Sequence, residues 1–226
     1  MPRPLSNRAK LFVFILAALA VLFALNLGYS ALDTISRLNA VERERDRWQR
    51  PAEVIQALGL RPGDVVVDLG CGSGYFALKL SSEVGASGRV IAEDIRWLPL
   101  AFLGFRAAQR GERNVQVVLG EPADPHLPSG VNAVLISNTY HEFTNSHPIL
   151  LDIWQSLVSG GRLVVVDREP KPVSAARPEN SEHEISADRV RAELRQANFT
   201  LASRQDGFIE NDPYGENWWL IVARKP

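Results

Sequence analysis

Val65-Val66-Val67-Asp68-Leu69-Gly70-Cys71-Gly72-Ser73-Gly74-Tyr75-Phe76 decides the fold. A β-branched run leads to an acid, then to three glycines at alternate positions, then to a stretch of helical character. That order predicts a buried parallel strand, a tight turn and a helix start. Glycine frees the turn from the steric limit on positive φ. It also leaves main-chain N–H groups open to a ligand that a Cβ would hold off. The helix N-terminus behind the turn favours an anionic group. The nearest alternative is a dinucleotide-binding turn, G-x-G-x-x-G or G-x-G-x-x-A. Gly70 and Gly72 would supply its first two positions, but the third falls on Tyr75, and the remaining glycine sits at Gly74.

Outward from this turn the pattern alternates strand and helix. Ala52 to Leu60 reads as a short helix and Arg61-Pro62-Gly63-Asp64 as a turn. A helix from Tyr75 to Val84 stops at Gly85 and Gly88. Arg89 to Ile95 is a second strand, ending in the paired acids Glu93 and Asp94. Trp97 to Arg110 is a helix whose apolar face exceeds one core stripe. Asn114 to Gly120 is the third strand, Pro122 to Pro128 a loop, and Val131 to Asn138 the fourth strand. Pro148 to Val158 is a helix, Ser159-Gly160-Gly161-Arg162 a turn, and Leu163 to Asp167 the fifth strand. Glu169 to Glu184 reads as a polar loop or lid, with His183 inside it. Ser186 caps a helix to about Ala197. Phe199 to Arg204 and Trp218 to Arg224 are the last strands, and Asp212-Pro213-Tyr214 belongs to the turn between them.

Asp68, two residues before the first glycine, completes a pattern that resembles motif I of the class I S-adenosylmethionine-dependent methyltransferases. Trp48 to Phe76 is similar to the opening segment of a bacterial subset of that family. Gly160-Gly161-Arg162 before Leu163-Val164-Val165-Val166-Asp167 is a second marker. The resemblance covers about residues 48 to 226. It implies an α/β, Rossmann-like, doubly wound sheet of seven mostly parallel strands with an antiparallel C-terminal hairpin. It also implies S-adenosyl-L-methionine held by Asp68, Gly70, Cys71, Gly72, Gly74 and Tyr75. Asp94 would hold the ribose, with Glu93 able to replace it. Glu121, or Asp124 close by, would meet the adenine amino group, and Asn138 would line the methionine part. In doubly wound sheets ligands sit outside the carboxyl ends of the strands. His141, just past the fourth strand, is the expected general base, because an imidazole titrates near working pH. Glu142 is expected to orient it, and the alternative is a structural His141. The Asn/Asp-Pro-Pro-Tyr/Phe signature of adenine-N6 methyltransferases is absent.

The 226 residues suffice for one domain plus an appendage, and 46% hydrophobic with 23% charged residues is a globular balance. A formal net charge of -1 gives no sign of a nucleic-acid binder. The single cysteine, Cys71, excludes an internal disulfide, and its place in the glycine turn is explained by small size. No metal-ligating set is assigned, and the sequence leaves the oligomeric state open.

Residues 1–32 form a separate segment. Arg3, Arg8 and Lys10 precede an uncharged run from Leu11 to Leu32. A helix of about 22 residues rises roughly 33 Å, enough for a bilayer core of about 30 Å. The expectation is a retained single-pass anchor, then a polar juxtamembrane linker over 33–50 and a methyltransferase domain over 51–226. A cleaved signal peptide with export is the alternative, with Gly28 and Ser30 as small residues near a cleavage point. Arg37, Arg43, Arg45, Arg47 and Arg50 after the run place the catalytic domain on the cytoplasmic side, where S-adenosylmethionine is made. The expected activity is transfer of the sulfonium methyl to an unidentified acceptor, lipid-like or small. The alternatives are a non-catalytic cofactor-binding scaffold of the same fold and, disfavoured by Tyr75, a nicotinamide-dependent oxidoreductase.

Overall fold

The structure is a computed structural model and describes residues 6–171 and 183–226. The lid expected over Glu169 to Glu184 falls largely outside them. The chain divides into two compact units, Met1–Arg45 and Asp46–Pro226.

The first unit is helical. It belongs to α1, Asn7–Trp48, a continuous helix of 42 residues. The polar stretch expected over 33–50 continues this helix as far as Trp48: Arg37 pairs with Asp33 one turn earlier at 2.8 Å, and such i,i+4 pairs support an exposed helix. α1 is long and apolar enough to cross a membrane, and none of its apolar window is buried inside the protein.

The second unit is a three-layer α/β domain. Its helices are α2 (Pro51–Leu58), α3 (Ala77–Val84), α4 (Trp97–Arg110), α5 (Ser146–Ser156) and α6 (Ala187–Gln196). Its strands are β1 (Val65–Leu69), β2 (Arg89–Asp94), β3 (Val115–Leu119), β4 (Val131–Ser137), β5 (Leu157–Arg168), β6 (Thr200–Ile209) and β7 (Trp218–Arg224). They form one sheet in the order β3-β2-β1-β4-β5-β7-β6. β1 to β5 are parallel, and β7 runs antiparallel to both β5 and β6. This is the seven-stranded, mostly parallel sheet with an antiparallel terminal hairpin that the sequence predicts.

Both faces of the sheet are covered, so its central strands read as unbroken apolar runs. Val66, Leu135, Val164 and Val166 pack on one face with Leu58, Leu80 and Leu103 of α2, α3 and α4. Val67, Val134, Ile136 and Val165 pack on the other with Ile149 and Ile153 of α5 and Val190 of α6. Gly59 ends α2 with φ +61, and Arg162 of β5 donates to the Ala57 carbonyl at 3.0 Å. A cation there satisfies a helix C-terminus.

The bounds of β5 and β6 differ from expectation. The Ser159–Arg162 turn lies inside β5, not before it. Gly160 N–H donates to Lys225 and Lys225 N–H to Gly161, so neighbouring backbone absorbs the glycines as an irregularity between Val131 and Ala133 of β4. β6 reaches Ile209 because a register shift between Gln205 and Ile209, with Gly207 at φ +61, lets the strand continue past the expected end.

Candidate active site

The carboxyl ends of β1, β2, β4 and β5 come together at one edge, because Leu69 pairs with Glu93 and Ile136 and Ser137 with Val166. The glycine turn is built on this edge. Gly70 and Cys71 N–H groups donate to the Glu93 carbonyl at 2.9 and 2.8 Å, and Gly74 N–H to Cys71 at 2.9 Å. Gly70, Gly72 and Gly74 have φ of 75°, 52° and 90°, a region closed to most L-residues. Their surroundings differ. A Cβ on Gly70 would meet Thr139 at 2.3 Å, and one on Gly74 would meet Leu103 at 2.2 Å. A Cβ on Gly72 would meet nothing within 4 Å. Gly70 and Gly74 are therefore packing glycines, and Gly72 faces open space. The buried Arg106 of α4 donates to the Ser73 carbonyl at 2.5 Å and braces the turn from behind.

Tyr75 turns away from this opening. Its hydroxyl donates to Asp46 at 2.8 Å, and Asp46 also pairs with Lys79 at 2.8 Å. Only the Tyr75 backbone belongs to the turn; the side chain ties it to the end of α1. Helix α3 accordingly starts at Ala77, two residues after the expected start.

Three buried acids surround the turn. Asp68 ends β1 at 3% exposure, and Glu93 and Asp94 end β2 at 2% and 3%. Asp94 accepts from Gly72 N–H and Arg96 N–H, both at 2.9 Å, and pairs with the Arg96 guanidinium at 3.2 Å. Asp94 raises the Arg96 guanidinium further above its usual value, and Glu142 adds to this, so Glu142 lies within Coulomb reach of Arg96. Glu93 points toward β3, where a Cβ on Gly120 would meet its Oε1 at 2.0 Å. Burial raises the Glu93 carboxyl to about 7, and the Asp94 and Asp68 charges add to the effect. Burial and the same three acids push the Cys71 thiol far up, which leaves it inert as a nucleophile.

Glu121 and Asp124 lie past β3 and pair through their backbones at 2.8 and 3.1 Å. Both are exposed. Asp124 already accepts from His126 N–H at 2.9 Å, leaving Glu121 the freer carboxylate of the two. Asn138 follows β4 with φ 56° and donates its N–H to Val166 at 2.8 Å. Asn138 Oδ1 and the neighbouring Ser137 Oγ are buried without a partner among the described residues.

His141 lies in a short 3-10 turn, Tyr140–Glu142. Its side chain is 1% exposed, and Nδ1 is 2.8 Å from Asp167 Oδ1 at the end of β5, itself 0% exposed. Glu142, the expected orienting acid, has an exposed side chain with Oε1 3.9 Å from Nε2, beyond hydrogen-bond range. The group bonded to the ring is Asp167. Sequence reasoning had placed that residue at a strand end without giving it a role. The His183 ring meets the His141 ring edge-on at 5.7 Å. His183 is exposed, yet its ring stands beside His141.

The family model described as Methyltransferase domain matches residues 60–213. The chain is 26% identical over 134 residues to a demethylmenaquinone methyltransferase of Lactococcus lactis, covering 58% of this chain and 52% of the relative. It is 31% identical over 122 residues to a ubiquinone/menaquinone biosynthesis C-methyltransferase of Hydrogenovibrio crunogenus, covering 53% and 47%. The chain thus spans about half the length of these two relatives. Among solved structures, a SAM dependent methyltransferase from Aquifex aeolicus superposes with TM-score 0.65 at 22% identity, covering 76% of this chain and 88% of that one. A possible exported protein from Bordetella parapertussis gives 0.60 at 18%, covering 79% and 67%. The glycine turn, the strand order and these matches agree: the chain belongs to the methyltransferase-domain family and has the class I S-adenosylmethionine-dependent methyltransferase fold.

Proposed function

We propose that this protein binds S-adenosyl-L-methionine at the glycine turn and directs its methyl group to a small, lipid-like acceptor. The observation that carries the reading is the opening at Gly72. Among the described residues nothing lies at its Cβ position, its N–H is held by Asp94, and buried polar atoms of Ser137 and Asn138 stand without partners at the end of β4. Buried polar groups are normally satisfied, so this edge is built to receive a polar ligand. The three acids around it suit a ligand that carries positive charge.

Asp94 would hold the ribose diol, exchanging its contact with the exposed Arg96 side chain for two hydroxyls. Glu93 would close the floor beside Gly120, and Glu121, with Asp124 as its neighbour, would meet the adenine amino group. Asn138 Oδ1 would accept from the ammonium of the methionine part, and Asp68, Gly70, Cys71 and Gly74 would hold the turn in shape. The sulfonium methyl is already activated when bound, so the protein contributes mainly positioning and exclusion of water.

The acceptor class draws support from two features. α1 is apolar and unburied over its membrane-length window, which suits a single-pass anchor with the domain on the cytoplasmic side. Two relatives are named for quinone methylation. The test is incubation of the full chain with tritiated S-adenosylmethionine and a total bacterial lipid extract. Label in the organic phase is expected. Saturable cofactor binding with no label transferred would contradict the lipid-like acceptor.

A further inference from the structure

We propose, building on the reading above, that His141 and Asp167 form a base dyad in which Asp167 fixes the imidazole as the Nδ1–H tautomer, leaving Nε2 to take a proton from the methyl acceptor. The acceptor is then one that arrives protonated: an ionisable hydroxyl, or a ring carbon activated by one. Thiolates, tertiary amines and trivalent arsenic need no base and gain nothing from this arrangement.

The tautomer follows from hydrogen-bond accounting. Asp167 Oδ2 is reached by the His141 N–H at 3.1 Å, and Oδ1 by the Arg168 N–H at 2.8 Å. Both backbone groups can only donate. The third bond, from His141 Nδ1 at 2.8 Å to Oδ1, therefore takes its hydrogen from the ring. A neutral imidazole with hydrogen on Nδ1 has its lone pair on Nε2. A histidine kept only to fill the core would have both nitrogens satisfied. Here Nε2 makes no hydrogen bond among the described residues, with Glu142 at 3.9 Å and the His183 ring edge-on at 5.7 Å. The ring follows β4 at the edge that carries the glycine turn. It is 1% exposed and its partner 0%, so an imidazolium formed there is paired with a buried carboxylate; an unpaired buried charge would cost several kcal/mol.

The step balances as follows. The acceptor's O–H bond breaks, its proton goes to Nε2 and its electron pair stays on oxygen. That pair, or the conjugated pair it feeds to a ring carbon, forms the bond to the methyl carbon. The bond between that carbon and sulfur breaks toward sulfur, which becomes a neutral thioether. In the ring-carbon case the hydrogen on the ring carbon then leaves as a proton, its electron pair restoring the aromatic ring, and the oxygen is reprotonated. The titratable groups facing the imidazole are Asp167 from β5, Glu142 from its own turn and His183 from the segment before α6. Asp167 is a positioning residue, and His141 touches the reacting proton.

The test has two arms on the full chain. In the first, two- and three-bond proton–nitrogen correlations are recorded on nitrogen-15-labelled protein with S-adenosylhomocysteine, with His141→Gln assigning the ring. The Nδ1–H pattern is expected for the neutral ring; an Nε2–H pattern overturns the dyad. The second arm measures methyl transfer to a short-chain demethylmenaquinol and to its quinone form, which has no hydroxyl proton. Transfer to the quinol alone is expected. Asp167→Asn should lower kcat about 10²–10⁴-fold with cofactor affinity near the wild-type value. Asp167→Glu should recover part of the rate. An unchanged kcat in Asp167→Asn overturns the proposal. If the wild type binds cofactor but methylates neither probe, the quinol reading of the acceptor fails and the nitrogen spectrum alone decides the dyad.

Discussion

At the residue scale, the three glycines separate cofactor binding from stability. A Cβ at Gly74 would strike Leu103 at 2.2 Å, so Gly74→Ala is expected to lower the melting temperature and to weaken binding only through unfolding. Gly72→Ala carries only the strain of a left-handed conformation, about 1–2 kcal/mol, yet its Cβ enters the open cleft. Its melting temperature should fall by only a few degrees, less than that of Gly74→Ala, while affinity for S-adenosylmethionine falls; calorimetry and thermal melts on both variants check the contrast. Glu93 makes a separate prediction about pH. Its folded value of about 7 lies above the ordinary 4.5, so the folded state holds the proton more tightly than the unfolded one. That contribution to stability is complete below about 4.5 and is lost as pH rises through about 7, with an upper bound of about 3 kcal/mol by linkage. Glu93→Gln should therefore match the cofactor-free wild type at pH 5 and exceed it at pH 8. A difference that does not grow with pH would show that Glu93 does not titrate in this range.

At the element scale, the sequence carried most of the fold because both faces of the sheet are buried. Val65 to Leu69, Val131 to Ser137 and Leu163 to Val166 read as strands from their apolar runs, and Gly70 to Gly74 as the turn. What it did not carry depends on contacts between distant residues. Nothing local marks Ser159 to Arg162 as strand; the backbone of the distant Lys225 bonds to both Gly160 and Gly161. Tyr75 looked like part of the cofactor turn until Asp46 was seen to hold its hydroxyl. Asp167 had a usable signal: Val164-Val165-Val166-Asp167 repeats the pattern of Val65-Val66-Val67-Asp68, an acid at the tip of a buried strand. Glu142 is the acid adjacent to His141 in the sequence, yet neighbours in a short turn point apart. The end of α1 gives the prediction at this scale. Asp46 holds Tyr75 and Lys79, Trp48 packs on Trp218 at 5.9 Å, and Gln49 is fully buried. A chain starting at residue 33 should melt with the second unit of the full protein. One starting at residue 51 should melt lower and bind cofactor more weakly, and equal melts for the two would remove the structural role of Asp46 to Gln49.

At the scale of the whole molecule, an apolar helix and a methyltransferase domain share one chain, and fractionation tests what the helix does. Full-length protein should stay with membranes through an alkaline carbonate wash. A soluble form shortened near Ser30 would instead mark a signal peptide. The central claim, that the glycine turn with Asp94 is a S-adenosylmethionine site, is tested most directly by calorimetric titration of the second unit with S-adenosylmethionine and with NAD. Saturable binding of S-adenosylmethionine and none of NAD is predicted. Asp94→Ala should weaken it by about 1.5–3 kcal/mol, roughly 10- to 150-fold, and weaken far less the binding of an analogue lacking both ribose hydroxyls. Heat from NAD, or equal affinity of wild type and Asp94→Ala for S-adenosylmethionine, would contradict it.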